Sequence, residues 1–268
     1  MRKRILSILL ALSMVFSLCA CGGGAQYGVK TVQTLVKQEY SLAFRNDDPT
    51  YFYVTAAIET LAAEGKVEEL TAKWFGQQII KFEKNGEALA ALTPPEPRDF
   101  IIGIDINSFP MAYISSEGYW GFDIELASVV CAKLGWTLKL QPIEKEDVAI
   151  ELSSGNIDCA WGGIALNPDE VEERMYTQYG PYVQNDIVVA ARNGSSIWNK
   201  LRLSSKNMAM CSTPEAMEAL NTDESLAKRL GQITRLAGGT TECFEYLYSG
   251  KCDTVLTDST ALYYFNCH

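Results

Sequence analysis

The stretch Phe100-Ile-Ile-Gly-Ile-Asp105 decides the fold of this chain. It is a continuous apolar run, and such runs are typical of strands in parallel sheets that are covered on both faces. A helical pattern follows at 124–134 and ends at Gly135, a residue that commonly terminates helices. The sequence therefore predicts a strand followed by a helix, which is the repeating unit of an α/β protein.

The same alternation occupies most of the chain. Further strands are predicted at 137–143, 156–161, 187–191, 206–210, 233–236 and 252–256, with helices between them. Ahead of the Phe100 strand, the pattern predicts strands at 31–36 and 39–44 and helices at 52–61 and 67–75. A Pro-rich connector at 77–98 then leads into Phe100. This alternation implies parallel sheets in two α/β units.

Three sets of motifs resemble parts of one known family, in rotated order. Residues 39–48 and Lys73-Trp-Phe-Gly76 look like the closing elements of that family. Residues 100–105 and Gly118-Tyr-Trp-Gly-Phe-Asp123 look like its opening elements, and Leu256-Thr-Asp-Ser259 ends the middle of its pattern. The family is the bacterial extracellular solute-binding proteins, family 3, the amino-acid-binding proteins of ABC importers.

The resemblance implies a two-lobed α/β fold like the type II periplasmic binding proteins, with each lobe a mostly parallel sheet flanked by helices. It implies that lobe one spans 45–186 and that lobe two is split between 31–44 and 187–268. The order is that of a circular permutation, in which 77–98 joins the old C-terminus to the old N-terminus. An alternative remains open, in which the chain is one unit cut from a tandem array.

The ends of three predicted strands point to one cleft between the lobes. Asp105 closes the first strand of lobe one, and Asp258 closes the last strand of lobe two. Gly162 and Gly163 follow the third strand of lobe one. Ligands of doubly wound sheets bind beyond the carboxyl ends of strands. The resemblance implies that Asp258 pairs with a ligand ammonium, although either carboxylate could instead cap a turn or a helix.

The segment after Gly163 departs from the family. Where the family places a Ser or Thr and an Arg that clamp the ligand carboxylate, this chain has Ala165 and Glu170. Arg174 is the first basic residue beyond them, and it could serve as the clamp or pair with its acidic neighbours. Lys145, which replaces a family aromatic, is a second source of positive charge.

Other residues complete the candidate site. Ser212 and Thr213 precede Pro214 at a predicted helix start, where hydroxyls and free N–H groups can bind a carboxylate or simply cap the helix. Phe109 and Tyr113 are candidate aromatic walls, although large aromatics are more often found in the core.

The first residues read as an export signal. Residues 1–20 have a basic start and a short apolar run, as a signal peptide does. Leu18-Cys19-Ala20-Cys21 resembles a bacterial lipobox, which predicts lipidation of Cys21 and a flexible tether over 21–30. An ordinary signal peptide is the alternative. The predicted location is the extracytoplasmic face of the cell membrane, held by the lipid.

Composition limits the remaining functions. The net charge of −10 argues against nucleic acid, which needs clustered Lys and Arg. The only histidine is His268, which argues against His-based catalysis and His metal ligands. We expect no cofactor and no metal. Export permits disulfides, and Cys243 and Cys252 are near enough in sequence to pair, although we expect them to stay unpaired.

The favoured function is a monomeric, non-enzymatic solute-binding lipoprotein that hands an amino acid or a related small amine to an ABC permease. One alternative is a lipoprotein that senses a solute without transporting it. Another is a dehydratase-like enzyme on the same fold, working through carboxylates such as Asp105, Asp258 or Glu170.

Overall fold

The computed structural model describes residues 28–268, and the predicted signal segment and Cys21 lie outside this range. The strands within it are β1 (Val29–Val36), β2 (Glu39–Phe44), β3 (Asp99–Ile104), β4 (Asn107–Ser108), β5 (Ala112–Ser115), β6 (Gly118–Trp120), β7 (Thr137–Pro142), β8 (Cys159–Ala160), β9 (Thr177–Gln184), β10 (Ile187–Arg192), β11 (Met208–Cys211), β12 (Ile233–Leu236) and β13 (Thr254–Asp258). The helices are α1 (Thr50–Ala63), α2 (Lys66–Phe75), α3 (Phe122–Leu134), α4 (Val148–Ser154), α5 (Pro168–Glu172), α6 (Pro214–Asn221), α7 (Glu224–Arg229), α8 (Gly239–Tyr248) and α9 (Ser259–Cys267).

The first sheet has the strand order β7-β3-β8-β2-β9. β3 runs parallel to β7 and β8, and β2 runs antiparallel to β8 and β9. Phe100, Ile102 and Ile104 of β3 are fully buried, as expected for a strand covered by helices on both faces. The predicted stop of α3 is confirmed, because Gly135 adopts a left-handed φ of +70° that favours glycine.

The second sheet has the order β1-β10-β13-β11-β12. β11 runs parallel to β12 and β13, whereas β10 runs antiparallel to β13 and to the edge strand β1. Its two faces are covered by separate apolar clusters, one around Phe244 and one around Met208 and Met210. The predicted two-lobed α/β fold is therefore confirmed.

Two adjacent segments join the lobes. The chain passes from β1 to β2 through Lys37 and Gln38, and from β9 to β10 through Asn185 and Asp186. The backbone N–H of Asn185 donates to the carbonyl of Gln38 (2.9 Å), so the two crossings are bonded side by side. Such paired crossings are suited to act as a hinge.

The position of β2 differs from the sequence analysis, which placed 31–44 in lobe two. β2 lies in the first sheet between β8 and β9, and only β1 lies in the second. Leu42, Ala43 and Phe44 are completely buried there, because β2 is an interior strand of the sheet.

Some elements were missed or shortened. The predicted strand at 156–161 reduces to β8, although ladder bonds continue from the N–H of Trp161 to the carbonyl of Gly103 (2.9 Å). The small sheet β4-β5-β6 and strand β9 were not predicted. The connector at 77–98 has no helix or strand, and its Phe82 ring stacks on Tyr179 and Tyr182. Within residues 28–268, no helix is long and apolar enough to cross a membrane.

Candidate ligand-binding cleft

A cleft of about 70 Å³ lies between the two sheets. It sits at the carboxyl ends of β3, β11 and β13, where ligands of such sheets bind. The first lobe and the crossing contribute Gln38, Tyr40, Asp105, Asn107, Ser108, Lys145, Gly163 and Ala165. The second lobe contributes Ile187, Cys211, Thr213, Glu215, Ala216, Thr240, Leu256, Thr257 and Asp258. A wider groove of about 920 Å³ adjoins the cleft and shares Gln38, Lys145 and Ala165 with it.

Asp258 ends β13 and faces the cleft from the second lobe. Its side chain makes no capping bond to α9. Instead its Oδ1 accepts a hydrogen bond from Asn185 Nδ2 (2.7 Å). Burial raises the pKa of Asp258 to about 6, the Asn185 bond opposes this, and the charge of Glu215 adds to it. Burial therefore makes ionisation of this carboxylate unfavourable, and a cation in the cleft would stabilise the ionised form.

Asp105 faces the cleft from the first lobe, just beyond the end of β3. Its Oδ1 accepts a hydrogen bond from the backbone N–H of Asn107 (2.8 Å). Burial raises the pKa of Asp105 to about 7, the Asn107 bond opposes this, and the charges of Glu215, Asp258 and Glu144 add to it. The cleft thus holds carboxylates that repel one another across the two lobes.

A buried network of hydrogen bonds connects the two lobes behind the cleft. Asn185 Nδ2 donates to the Tyr40 hydroxyl (2.6 Å) as well as to Asp258, and Ser108 Oγ donates to the carbonyl of Gly163 (2.8 Å). Tyr40 and Ser108 are also bonded through their oxygens (2.9 Å). Since the Ser108 proton is already used, the Tyr40 hydroxyl must donate to Ser108. The direction of every hydrogen bond in this network is therefore fixed.

The loop of Gly162 and Gly163 after β8 is fixed by a hydrogen bond to a buried carboxylate. Gly163 adopts a φ of +71° and lines the cleft, and a side chain there would collide with Ser108. The buried Asp123 accepts bonds from the Gly163 N–H (2.8 Å) and the Tyr182 hydroxyl (2.7 Å). Gly162 packs against Ile104 and does not line the cleft.

Of the four residues considered for the carboxylate clamp, two line the cleft and two do not. Ala165 lines both the cleft and the groove, but it offers only a methyl group. Arg174 is exposed and lines neither cavity, and its backbone has a φ of 56°. Glu170 also lines neither and lies against the hydroxyl of Tyr176. Lys145 lines both cavities, and its nearest ion-pair partner is Glu146 at 3.7 Å.

The segment after β11 contributes one predicted hydroxyl to the cleft. Thr213 lines the cleft and caps α6, accepting a bond from the N–H of Ala216 (3.3 Å). Ser212 is exposed and does not line it, because its N–H is bonded to the carbonyl of Leu236 in the sheet. Glu215, which was not predicted, lines the cleft from the first turn of α6.

The predicted aromatic walls lie elsewhere. Phe109 is buried and packs its ring against Tyr264 (4.9 Å) and Phe265 (5.5 Å) of α9. Tyr113 packs on Phe109 (4.8 Å). Neither lines the cleft, since both serve an aromatic contact between the small sheet of the first lobe and the core of the second.

Thr257 is a further lining residue that sequence reasoning missed. It is 6 % exposed, and its Oγ1 is buried without a hydrogen-bond partner. A buried hydroxyl without a partner costs about 1–3 kcal/mol. A ligand polar group is one means of satisfying it. Thr257 directly precedes Asp258, so the predicted strand end was a signal that could have found it.

The comparisons with known proteins agree on one family. The sequence model of the bacterial extracellular solute-binding proteins, family 3, matches residues 100–237. The probable ABC transporter arginine-binding protein ArtJ of Chlamydia trachomatis is 28% identical over 92 residues, which cover 34% of this chain and 36% of that protein. The probable amino-acid-binding protein YxeM of Bacillus subtilis is 27% identical over 92 residues, or 34% of this chain and 35% of that protein.

Two solved structures that this chain resembles are also substrate-binding proteins of ABC uptake transporters. A polar amino acid transporter substrate-binding protein from Streptococcus thermophilus matches with 26% identity and a TM-score of 0.46, over 60% of this chain and 61% of that one. A histidine-bound protein from Streptococcus pneumoniae matches with 24% identity and a TM-score of 0.45, over 60% and 66%. The matched part of the chain spans about a third of the length of the curated relatives.

Proposed function

Since the chain belongs to the bacterial extracellular solute-binding proteins, family 3, we propose that it carries an amino acid or a related small amine to an ABC permease. The observation that carries the proposal is the pair of carboxylates at facing strand ends, Asp105 from one lobe and Asp258 from the other. Burial raises the pKa of each carboxyl group, so an ammonium group in the cleft would stabilise the ionised form of each.

The hinge network supports a binding role for Asp258. Asn185 lies in one of the two crossings and holds this carboxylate by a hydrogen bond. A change in the charge of Asp258 therefore changes the strength of a hydrogen bond to the segment about which the lobes would rotate. A ligand that bridges Asp105 and Asp258 would favour the closed arrangement by contacts that an open arrangement lacks.

Thermal unfolding with added solutes tests the proposal. A ligand that binds only the folded state raises the midpoint according to RT ln(1 + [L]/Kd). We expect a specific rise with at least one amino acid or small amine, and its loss in Asp258→Asn. Asp99→Asn is the matched control, because Asp99 is exposed at the opposite end of β3 from Asp105. A cooperative melt that no such solute shifts would refute the proposal.

Binding without turnover is part of the same proposal. Two carboxylates could in principle act as acid and base. The imidazole of His268 packs against the Tyr264 ring outside the cleft, so it adds no base there. Incubation with the ligand identified above should return it unchanged, and steady conversion of that ligand would favour the dehydratase-like alternative.

We also propose that Cys21 carries a lipid that holds the protein at the outer face of the membrane. The lipobox-like motif and the Gly-rich segment after it support this. Radioactive palmitate labelling of the expressed full chain, lost in Cys21→Ala, is the expected result. Unlabelled wild-type protein released into the medium would contradict it.

The element order suggests a circular permutation of the family, and we propose it as the origin of this chain. The beginning of β1 and the end of α9 are in contact, since the Val29 N–H donates to Asn266 Oδ1 (2.8 Å) and Asn266 Nδ2 donates back to the Val29 carbonyl (3.1 Å). A variant that joins these ends and opens the connector at 77–98 should keep the same fold and ligand. A tandem-array unit would instead exchange elements between chains and be dimeric.

A further inference from the structure

We propose that the cleft is built for a small diamine, a ligand with two ammonium groups and no carboxylate. This rests on the proposed function and narrows it to one class of solute. The cleft lining holds three carboxylates, Asp105, Glu215 and Asp258, and one ammonium group, that of Lys145. Within residues 28–268, none of the three carboxylates forms an ion pair.

The charge balance of the cleft favours a dication. With all four groups ionised, the lining carries a net charge of minus two. Buried charges need partners of the opposite sign. A diamine would neutralise this lining, whereas an amino acid with a cationic side chain carries a net charge of only plus one and adds a further carboxylate.

Apart from Lys145, the first lobe offers little to a ligand carboxylate. Ala165, at the position where the resemblance implies a hydroxyl, presents only a methyl group. Arg174, the other candidate for the clamp, is exposed and does not line the cleft. A carboxylate bound here would lack the bidentate partner that planar recognition uses.

The second lobe also disfavours a ligand carboxylate. The amino end of α6 would attract an anion, because its free N–H groups and dipole are positive. In this chain Glu215 occupies the first turn of α6 and lines the cleft, and Thr213 already caps Ala216. The helix end therefore faces its own carboxylate, and a second one would be repelled.

Thr257 supplies an independent sign of a ligand. Its buried Oγ1 has no partner in the protein, and the residue, which precedes Asp258 in β13, lines the cleft. An ammonium group has three N–H donors, so a single ammonium can bond more than one acceptor. In the proposed complex, an ammonium held by Asp258 also donates to the Thr257 hydroxyl.

Lys145 is the residue that decides between the two ligand classes. It borders both the cleft and the wider groove, so it could meet a ligand carboxylate or simply point to Glu146. If it clamps a carboxylate, Lys145→Met should destroy binding. If the ligand is a diamine, Lys145→Met removes a repulsive cation and should strengthen binding.

The test compares amines with the amino acids that differ from them only by a carboxylate. Isothermal titration at pH 8 uses putrescine against L-ornithine, cadaverine against L-lysine, and agmatine against L-arginine. We expect at least one amine to bind at least tenfold tighter than its amino acid. We expect Lys145→Met to bind that amine more tightly, and Glu215→Gln to bind it at least tenfold more weakly.

Thr257→Val keeps the test informative if Glu215→Gln fails to fold. Removing an unpartnered hydroxyl should raise the melting midpoint of the empty protein, while the affinity for the amine falls. A purely structural hydroxyl would not move these two quantities in opposite directions.

The outcomes separate the two proposals. An amino acid that binds tighter than its amine, with loss of binding in Lys145→Met, would overturn the diamine inference and leave the proposed function standing. A folded protein that binds none of the six solutes would overturn the diamine inference too. The full amino acid screen described above then decides the proposed function by itself.

Discussion

Asn185 donates a hydrogen bond to Asp258, and this bond ties the cleft carboxylate to the segment that joins the lobes. The same amide nitrogen donates to Tyr40, while its oxygen accepts from the N–H and hydroxyl of Thr260. Asn185 is fully buried, and all its side-chain bonding capacity is used. One side chain thus links the ligand site, the first lobe and the start of α9.

Replacing Asn185 with Ala should destabilise the protein strongly. Each buried partner left unpaired costs about 1–3 kcal/mol, so we expect the free energy of unfolding to fall by about 3 kcal/mol. Urea denaturation measures this. Asn156→Ala is the control, because Asn156 is exposed, and it should change the free energy by no more than about 0.5 kcal/mol. Equal effects of the two changes would contradict the network.

The empty protein should lose stability as pH rises from about 4 to 7. Burial raises the pKa of Asp105 to about 7, of Asp123 to about 7 and of Asp258 to about 6. In this interval the unfolded chain has released these protons and the folded chain still holds them. The free energy of unfolding therefore falls by up to about 1.4 kcal/mol per pH unit for each group. Denaturant titrations at several pH values measure the slope, which Asp258→Asn should make shallower between pH 4 and 6.

Ligand affinity should follow the opposite trend. A cation binds the ionised forms of Asp105 and Asp258, so its affinity should increase from pH 5 to 8 and its binding should release protons at the lower end. Calorimetry in two buffers with different ionisation enthalpies measures that release. An affinity independent of pH would show that neither carboxylate contacts the ligand.

Phe109→Ala should lower the free energy of unfolding, because it removes an aromatic contact between the two lobes at α9. The Phe109 ring is buried against Tyr264 and Phe265, and losing a buried Phe costs about 3–5 kcal/mol. Chemical denaturation measures this loss. Phe52→Ala is the control, because its ring is 61% exposed, and it should leave stability nearly unchanged. A small effect at Phe109 would mean that the aromatic contact is not formed in solution.

Cys211 and Cys243 should form a disulfide on mild oxidation. Their Sγ atoms lie 3.8 Å apart, and a disulfide needs about 2.05 Å. The contact with Cys243 lowers the pKa of the Cys211 thiol, which favours the thiolate that attacks. Oxidised dithiothreitol would accept the two electrons and two protons as the bond forms. Peptide mapping should find the linkage of 211 to 243, whereas a linkage of 243 to 252 would contradict this prediction.

The sequence predicts the central elements of both sheets, because complete burial leaves continuous apolar runs such as Phe100 to Ile104. Strand β9 was missed because Gly180 and Pro181 lie within it and usually interrupt strands. β2 was assigned to the wrong lobe on the resemblance to the family, and the local sequence pattern could not correct this because it does not say which sheet a strand joins. It is the pairing with β8 and β9, far along the chain, that decides this.

The two carboxylates of the site could be predicted because strand ends mark the edge where ligands bind. Asn185 and Tyr40 left no such signal, since they meet only after the crossings align. Arg174 was a reasonable candidate by charge, but it is exposed and does not line the cleft. Glu215 was within reach of sequence reasoning, because it follows Thr213 and Pro214 at a predicted helix start.

Strand β1 sets the order in which the two sheets can be completed. It pairs with β10, with Val29 opposite Arg192 and Val36 opposite Ile187, and it has no other strand neighbour in the second sheet. All strands of the first sheet lie between 39 and 184, so that sheet is complete in the chain before β10 has been translated. An exported chain leaves the membrane from its N-terminus, so β1 emerges well before β10 and stays an open edge strand until β10 follows. The second sheet can therefore be completed only after every strand of the first sheet has emerged.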